Sequence, residues 1–211
     1  MITENQLNHE IINMGTNELR KRKNWQDVSG GKAGVAEKKF FNIFTKEFEG
    51  TNFRIRSKPR EFKDVYSKIK LTAGILKGIY NPDETWVHGL IPDYAIDNIK
   101  TGKTLYVEVK RQDGWVEGKP RKAGRGNAHE RSNKLFTPGI LKLMREHGKI
   151  GKDVLPFWVV FQGDIARDPK RVREIHFWYG DYSDNFFLWS NSLDEKAVIN
   201  HFNKKLKRLL L

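Results

Sequence analysis

The sequence predicts an α/β fold, a mixed central β-sheet flanked by helices. Residues 104–110 alternate in polarity, residues 156–162 are almost wholly apolar, and segments of helical period stand before, between and after them. Taken in order, residues 1–23 read as an N-terminal arm, followed by a single domain over 24–211. A helix is expected from Ala33 to Phe48, because Ala36, Phe40, Ile43, Phe44 and Phe48 recur at i, i+4, i+7, i+8 and i+12 on one face. A second amphipathic stretch holds Phe62, Val65, Tyr66 and Ile69, and Asn81-Pro82-Asp83-Glu84 reads as a turn.

The period then changes. Gly89 to Asp97 is short, apolar and β-prone, and Asn98 to Lys103, with Gly102, supplies a reversal. Thr104 to Lys110 is the most legible strand, sending Leu105, Val107 and Val109 one way and Tyr106, Glu108 and Lys110 the other. Arg111 to Gly126 carries Gly114, Gly118, Gly124 and Gly126 and is a long basic loop, of a length that tends to serve function. Asn127 to Glu130 reads as a helix start, with Asn127 as N-cap and Glu130 reaching back, and the helix restarts near Pro138. Pro156 to Gln162 is a buried strand, and Glu174–Tyr179 and Asn185–Trp189 are read as two more. The end is helical, with Val198, Phe202, Leu206 and Leu209 at helical spacing.

Composition narrows the function classes. The 211 residues carry 39 Lys plus Arg against 26 Asp plus Glu, a net charge of +13, which favours a polyanionic partner. Eight cations and three acids between Lys110 and Lys134 concentrate +5 around the long loop. Lys204, Lys205, Lys207 and Arg208 at the C-terminus are read as a helix end whose cations suit the dipole. The absence of cysteine excludes disulfide scaffolds, thiol nucleophiles and zinc–thiolate sites. No run reaches the ~20 apolar residues of a membrane helix, and Met1 to Arg22 lacks a signal-peptide pattern, so a cytoplasmic protein is expected.

The chemistry is expected at Pro92-Asp93 and Glu108-Val109-Lys110. Two strands joined by a short reversal would set Asp93 beside Glu108, and the strand period puts Glu108 and Lys110 on the same face. Hard carboxylate oxygens of this kind suit Mg²⁺, which takes one or two carboxylates plus a substrate phosphate. Lys110 would hold or help deprotonate an attacking water and oppose the charge of the transition state. The same residues could instead form a surface ion-pair cluster on a hairpin. Pro82-Asp83 is a second candidate before Glu108, ranked below Asp93 because Asn-Pro-Asp-Glu is turn chemistry. His129 lacks a second histidine at i+4, so a zinc-protease helix is absent, and the other histidines are scattered. Ser29 to Ala33 fails the phosphate-loop spacing.

Gly124 to Arg131 packs glycine, guanidinium and amide most closely. Arginine and asparagine can bond bidentately to guanine and adenine in the major groove, and a helix start at Asn127 would lead with its positive dipole end. With Pro92-Asp93, Glu108 to Trp115, Gly124 to Ser132 and Pro156 to Phe161, the chain from about Asn24 onward resembles the MunI/EcoRI group of type II restriction endonucleases, within the PD-(D/E)XK nucleases. The resemblance implies a restriction-endonuclease-like fold in which Asp93 and Glu108 are Mg²⁺ ligands and Lys110 completes the catalytic centre. It also implies that Asn127, Ala128 and Arg131 read an inner AATT, that Arg125 reads the outer C·G pair, and that Glu130 pairs with Arg131 of the other subunit. The enzyme so implied is a homodimer acting on double-stranded DNA, cutting C^AATTG to leave four-base 5′ overhangs, and paired with a methyltransferase that protects the host. The rival readings are a non-catalytic DNA-binding module, a structure-specific nuclease and a basic RNA-binding protein. The last is disfavoured because the aromatics fall in core-like runs rather than on an exposed platform.

Overall fold

The computed structural model describes residues 31, 34–80, 86–114, 116–120 and 127–211. The arm over 1–23, the turn at Asn81–Glu84 and Arg125 lie outside the described residues. Five strands form one sheet in chain order: β1 (Phe53–Ser57), β2 (Tyr94–Asn98), β3 (Lys103–Arg111), β4 (Phe157–Gln162) and β5 (Phe186–Trp189). β1, β2 and β3 pair antiparallel, whereas β3–β4 and β4–β5 are parallel, so the sheet is mixed as expected. The β2–β3 reversal needs a left-handed residue, and Gly102 supplies it at φ 67° while its N–H donates to Asn98 O at 2.8 Å.

Alternation sorts the core into two layers. On one face Leu105, Val107 and Val109 of β3 and Trp158 and Val160 of β4 pack against helix α1 (34–47) through Phe40, Ile43 and Phe44. The C-terminal segment closes that layer. On the other face Tyr106, Phe157, Val159 and Phe161 pack against Ile140 and Met144 of α3 (Pro138–Gly148) and Ile175 and Tyr179 of α4 (Pro169–Tyr179). The short helix α2 (Ala73–Leu76) buries none of its residues. α3 lies so close to β3 that a Cβ on Gly148 would stand 2.4 Å from Thr104 O; only glycine fits there.

Four expectations need correction. Glu174–Tyr179 is not a strand: it is the second half of α4, begun by Asp168, which accepts from the N–H groups of Lys170 and Arg171, with Pro169 following. Ile175 and Tyr179, four apart, reach the core, while Phe177 stays exposed. The stretch holding Phe62 to Ile69 forms turns; of its apolar residues Phe62 alone is fully buried and Ile69 is exposed, so no helix face is anchored. Asn127 does not cap a helix: a 3₁₀ segment runs Glu130–Phe136, begins after His129 with no side-chain cap, and gives way to α3 at Pro138. At the end of the chain, helix α5 (Glu195–His201) passes into a wider π-type turn over Phe202–Leu206, which delays the pattern by one residue. Leu210 rather than Leu209 is therefore fully buried, and its carbonyl accepts from Asn98 and Thr101 at 2.9 and 2.7 Å.

Candidate active site

The β2–β3 register sets Tyr94 opposite Val107, so one step further along the pair Asp93 stands level with Glu108. Both carboxylates are buried, and both lie on the face away from α1. Asp93 Oδ2 accepts from the Val109 N–H at 2.9 Å and from Lys110 Nζ at 3.4 Å, and Lys110 also donates to Glu108 Oε2. The structure thus brings Asp93, Glu108 and Lys110 together as the strand period requires. The competing Asp83 lies outside the described residues.

The electrostatics separate the two acids. Burial opposes ionisation of Asp93, but Lys110, Lys58 and the Val109 N–H outweigh it and hold its carboxyl below the usual range. Burial and the neighbouring Asp93 push the Glu108 carboxyl up, despite Lys110. Burial pulls Lys110 down, yet the two carboxylates more than compensate, so it stays an ammonium. A buried carboxylate pair with one member pushed toward the neutral form gains from a further cation. Among the described residues no three His, Asp or Glu side chains form a metal cage. Two carboxylates, to be completed by water and a substrate phosphate, are a donor set that Mg²⁺ takes, and Asp93 and Glu108 fit that ion.

Sequence reasoning missed Lys58. Its Nζ lies 2.6 Å from Asp93 Oδ1 and 3.1 Å from Glu37 Oε2 of α1, and its backbone sits at φ 46°, unusual for a residue with a Cβ. It follows directly on β1, where a lysine before Pro59 carries no sequence signal of such a contact.

The end of β3 leads from this corner to the basic segment. Gln112 donates its N–H to Gln162 O at 3.1 Å, and its side-chain oxygen accepts from the Ala128 N–H at 3.0 Å. Asn127 donates to Glu130 Oε2 at 2.8 Å, so those two side chains meet each other rather than the helix backbone. Glu130 Oε1 also lies 3.9 Å from Arg171 Nη1 of α4. Asn127, Glu130 and Arg131 are exposed and Ala128 half-buried. His129 between them is fully buried.

Comparisons with known proteins agree on one family. Residues 14–211 match the family profile described as type II restriction enzyme MunI, a match that begins inside the segment read as an arm. Over 201 residues the chain is 52% identical to the type II restriction enzyme MunI of Mycoplasma sp., covering 93% of this chain and all of that protein. Its fold is similar to the crystal structure of MunI restriction endonuclease in complex with cognate DNA, with a TM-score of 0.75 at 50% identity, covering 89% of this chain and 98% of that one.

Proposed function

This chain belongs to the MunI family of type II restriction enzymes, and we propose that it is a Mg²⁺-dependent endonuclease that cuts double-stranded DNA at C^AATTG. The convergence of Asp93, Glu108 and Lys110 at one end of β2 and β3 carries this reading. Asp93 and Glu108 would hold the ion. When bound, Mg²⁺ neutralises charge on the phosphoryl oxygen and acidifies a water. Lys110, in reach of both carboxylates, would hold or help deprotonate the attacking water and oppose the negative charge of the transition state. The water oxygen bonds to phosphorus as its proton passes to Lys110, a phosphate oxygen or solvent, the P–O3′ bond breaks, and the leaving O3′ takes a proton from solvent, giving a 5′-phosphate and a 3′-hydroxyl.

Specificity is assigned to the segment after the long loop. Asn127, Ala128 and Arg131 would read the inner AATT and Arg125 the outer C·G pair. Support comes from the exposure of Asn127 and Arg131 and from the charge concentrated around them. A palindromic site asks for a two-fold homodimer, in which Glu130 pairs with Arg131 of the other subunit. Within one chain Glu130 already meets Asn127, so that pairing would exchange one partner for another. We place the catalytic domain at 24–211 and the protein in the bacterial cytoplasm. No helix among the described residues is long and apolar enough to cross a membrane.

Sequencing the ends of fragments from a digest of known DNA tests activity, specificity and stagger together. Every end should begin 5′-AATT, and chelating the divalent ion should abolish cutting. Uncut but retarded DNA would instead favour a binding module, and cuts at branches irrespective of sequence a structure-specific nuclease.

A further inference from the structure

We propose that His129 is a positioning residue for sequence readout: its buried ring locks the 127–131 segment to one face of α4, so that Asn127 and Arg131 are presented in fixed register. This rests on the reading of that segment given above. The ring has no exposed surface. Its Nε2 lies 2.9 Å from Glu174 Oε2, and it stacks on Trp178 with centroids 5.1 Å apart and planes inclined by 16°. Glu174 Oε2 is held in turn by Arg171 Nη1 at 2.8 Å, and that same nitrogen stands 3.9 Å from Glu130.

Arg171, Glu174 and Trp178 fall at i, i+3 and i+7, one face of α4. The helix presenting them is fixed by Ile175 and Tyr179 in the core and by its Asp168 cap. The segment facing it is a 3₁₀ turn without a side-chain cap, held otherwise by Gln112 at the Ala128 N–H and by the Ser132 hydroxyl, which donates to His129 O. A polar ring is costly to bury unless a partner is waiting, and the carboxylate that receives it belongs to a different element. Asn127 and Arg131 lie two residues to either side, so displacement of the ring moves both. Base readout tolerates little such movement, since its hydrogen bonds depend on geometry to within a fraction of an ångström.

The test measures kcat/KM on a CAATTG duplex and on one with an inner pair changed, alongside Tm. His129→Leu keeps the bulk and loses the hydrogen bond to Glu174, and should lower the ratio of the two values by roughly tenfold. His129→Gln, whose amide can still donate to Glu174, should restore most of that ratio. A residue that merely filled space would let Tm fall and leave the ratio unmoved, and a folded His129→Leu with the parental ratio overturns the proposal. Should His129→Leu not fold, Glu174→Leu on the helix side, which removes the acceptor, carries the same expectation and the same refutation. Asn127→Ala separates the two layers of the argument. If it too keeps the parental ratio, base reading by this segment is wrong. If it loses the ratio while His129→Leu and Glu174→Leu keep it, only the role of His129 falls.

Discussion

The catalytic corner and the 127–131 segment are held in place by different means. At the corner, backbone pairing does the positioning: the β2–β3 register brings Asp93 level with Glu108, and the pleat turns Lys110 to the same side. Along 127–131 no ladder exists, and side chains from elsewhere, Gln112 at the end of β3 and Glu174 and Trp178 on α4, fix the chain. A chemical step that needs atoms held closely is built on strands buried on both faces. The surface proposed to meet DNA is built on a turn braced from behind.

Four experiments press on this contrast. The largest effect is expected from Lys110→Ala or Asp93→Ala, which should lower cleavage by roughly 10²–10⁴-fold while a retarded DNA band persists. Near-normal nicking by either variant would remove the corner from the chemistry. Next in size is ion binding without DNA. At about a hundred times its Kd, Mg²⁺ should raise the Tm of the parent by on the order of 5 °C and leave that of Asp93→Ala unmoved, read by differential scanning fluorimetry. Equal shifts in both proteins would place the ion elsewhere.

Arg125→Ala should cost ~1–3 kcal/mol of discrimination at the outer pair, measured as the preference for CAATTG over GAATTC. Full retention would exclude Arg125 from readout. The smallest effect is a pH dependence. Burial holds His129 below its ordinary value despite Glu174. The unfolded chain therefore takes up a proton near pH 6.5 that the folded chain refuses, and stability falls as the pH drops below that point. Between pH 7 and pH 5 the Tm of His129→Gln should fall less than that of the parent, the difference staying under about 1.4 kcal/mol per pH unit. Identical falls would show that the ring titrates freely.

The same contrast decides what could be read in advance. Thr104–Lys110 and Pro156–Gln162 announce themselves because their patterns are local, and with them came the sheet and the corner. α4 was misread because Glu174–Tyr179 holds enough apolar and aromatic residues to pass for a strand, and its Asp168-Pro169 start lies five residues earlier. With α4 taken as a strand, Arg171, Glu174 and Trp178 could not be seen to share a face, and His129 looked like an isolated histidine. Lys58 was hidden for another reason: it reaches Asp93 across 35 residues of chain, and no spacing rule spans such a gap. Asn127 and Glu130 form a contact of the right pair in the wrong role, because a 3₁₀ turn does not present the N–H groups that a capping box requires.

The most direct test of the central claim is an anomalous-scattering map from crystals of the Lys110→Ala protein bound to a CAATTG duplex and soaked in Mn²⁺. A single strong peak, or a close pair, in contact with the Asp93 and Glu108 carboxylates is the predicted result. A well-ordered ion bound to other side chains, with Asp93 and Glu108 unliganded, would contradict it.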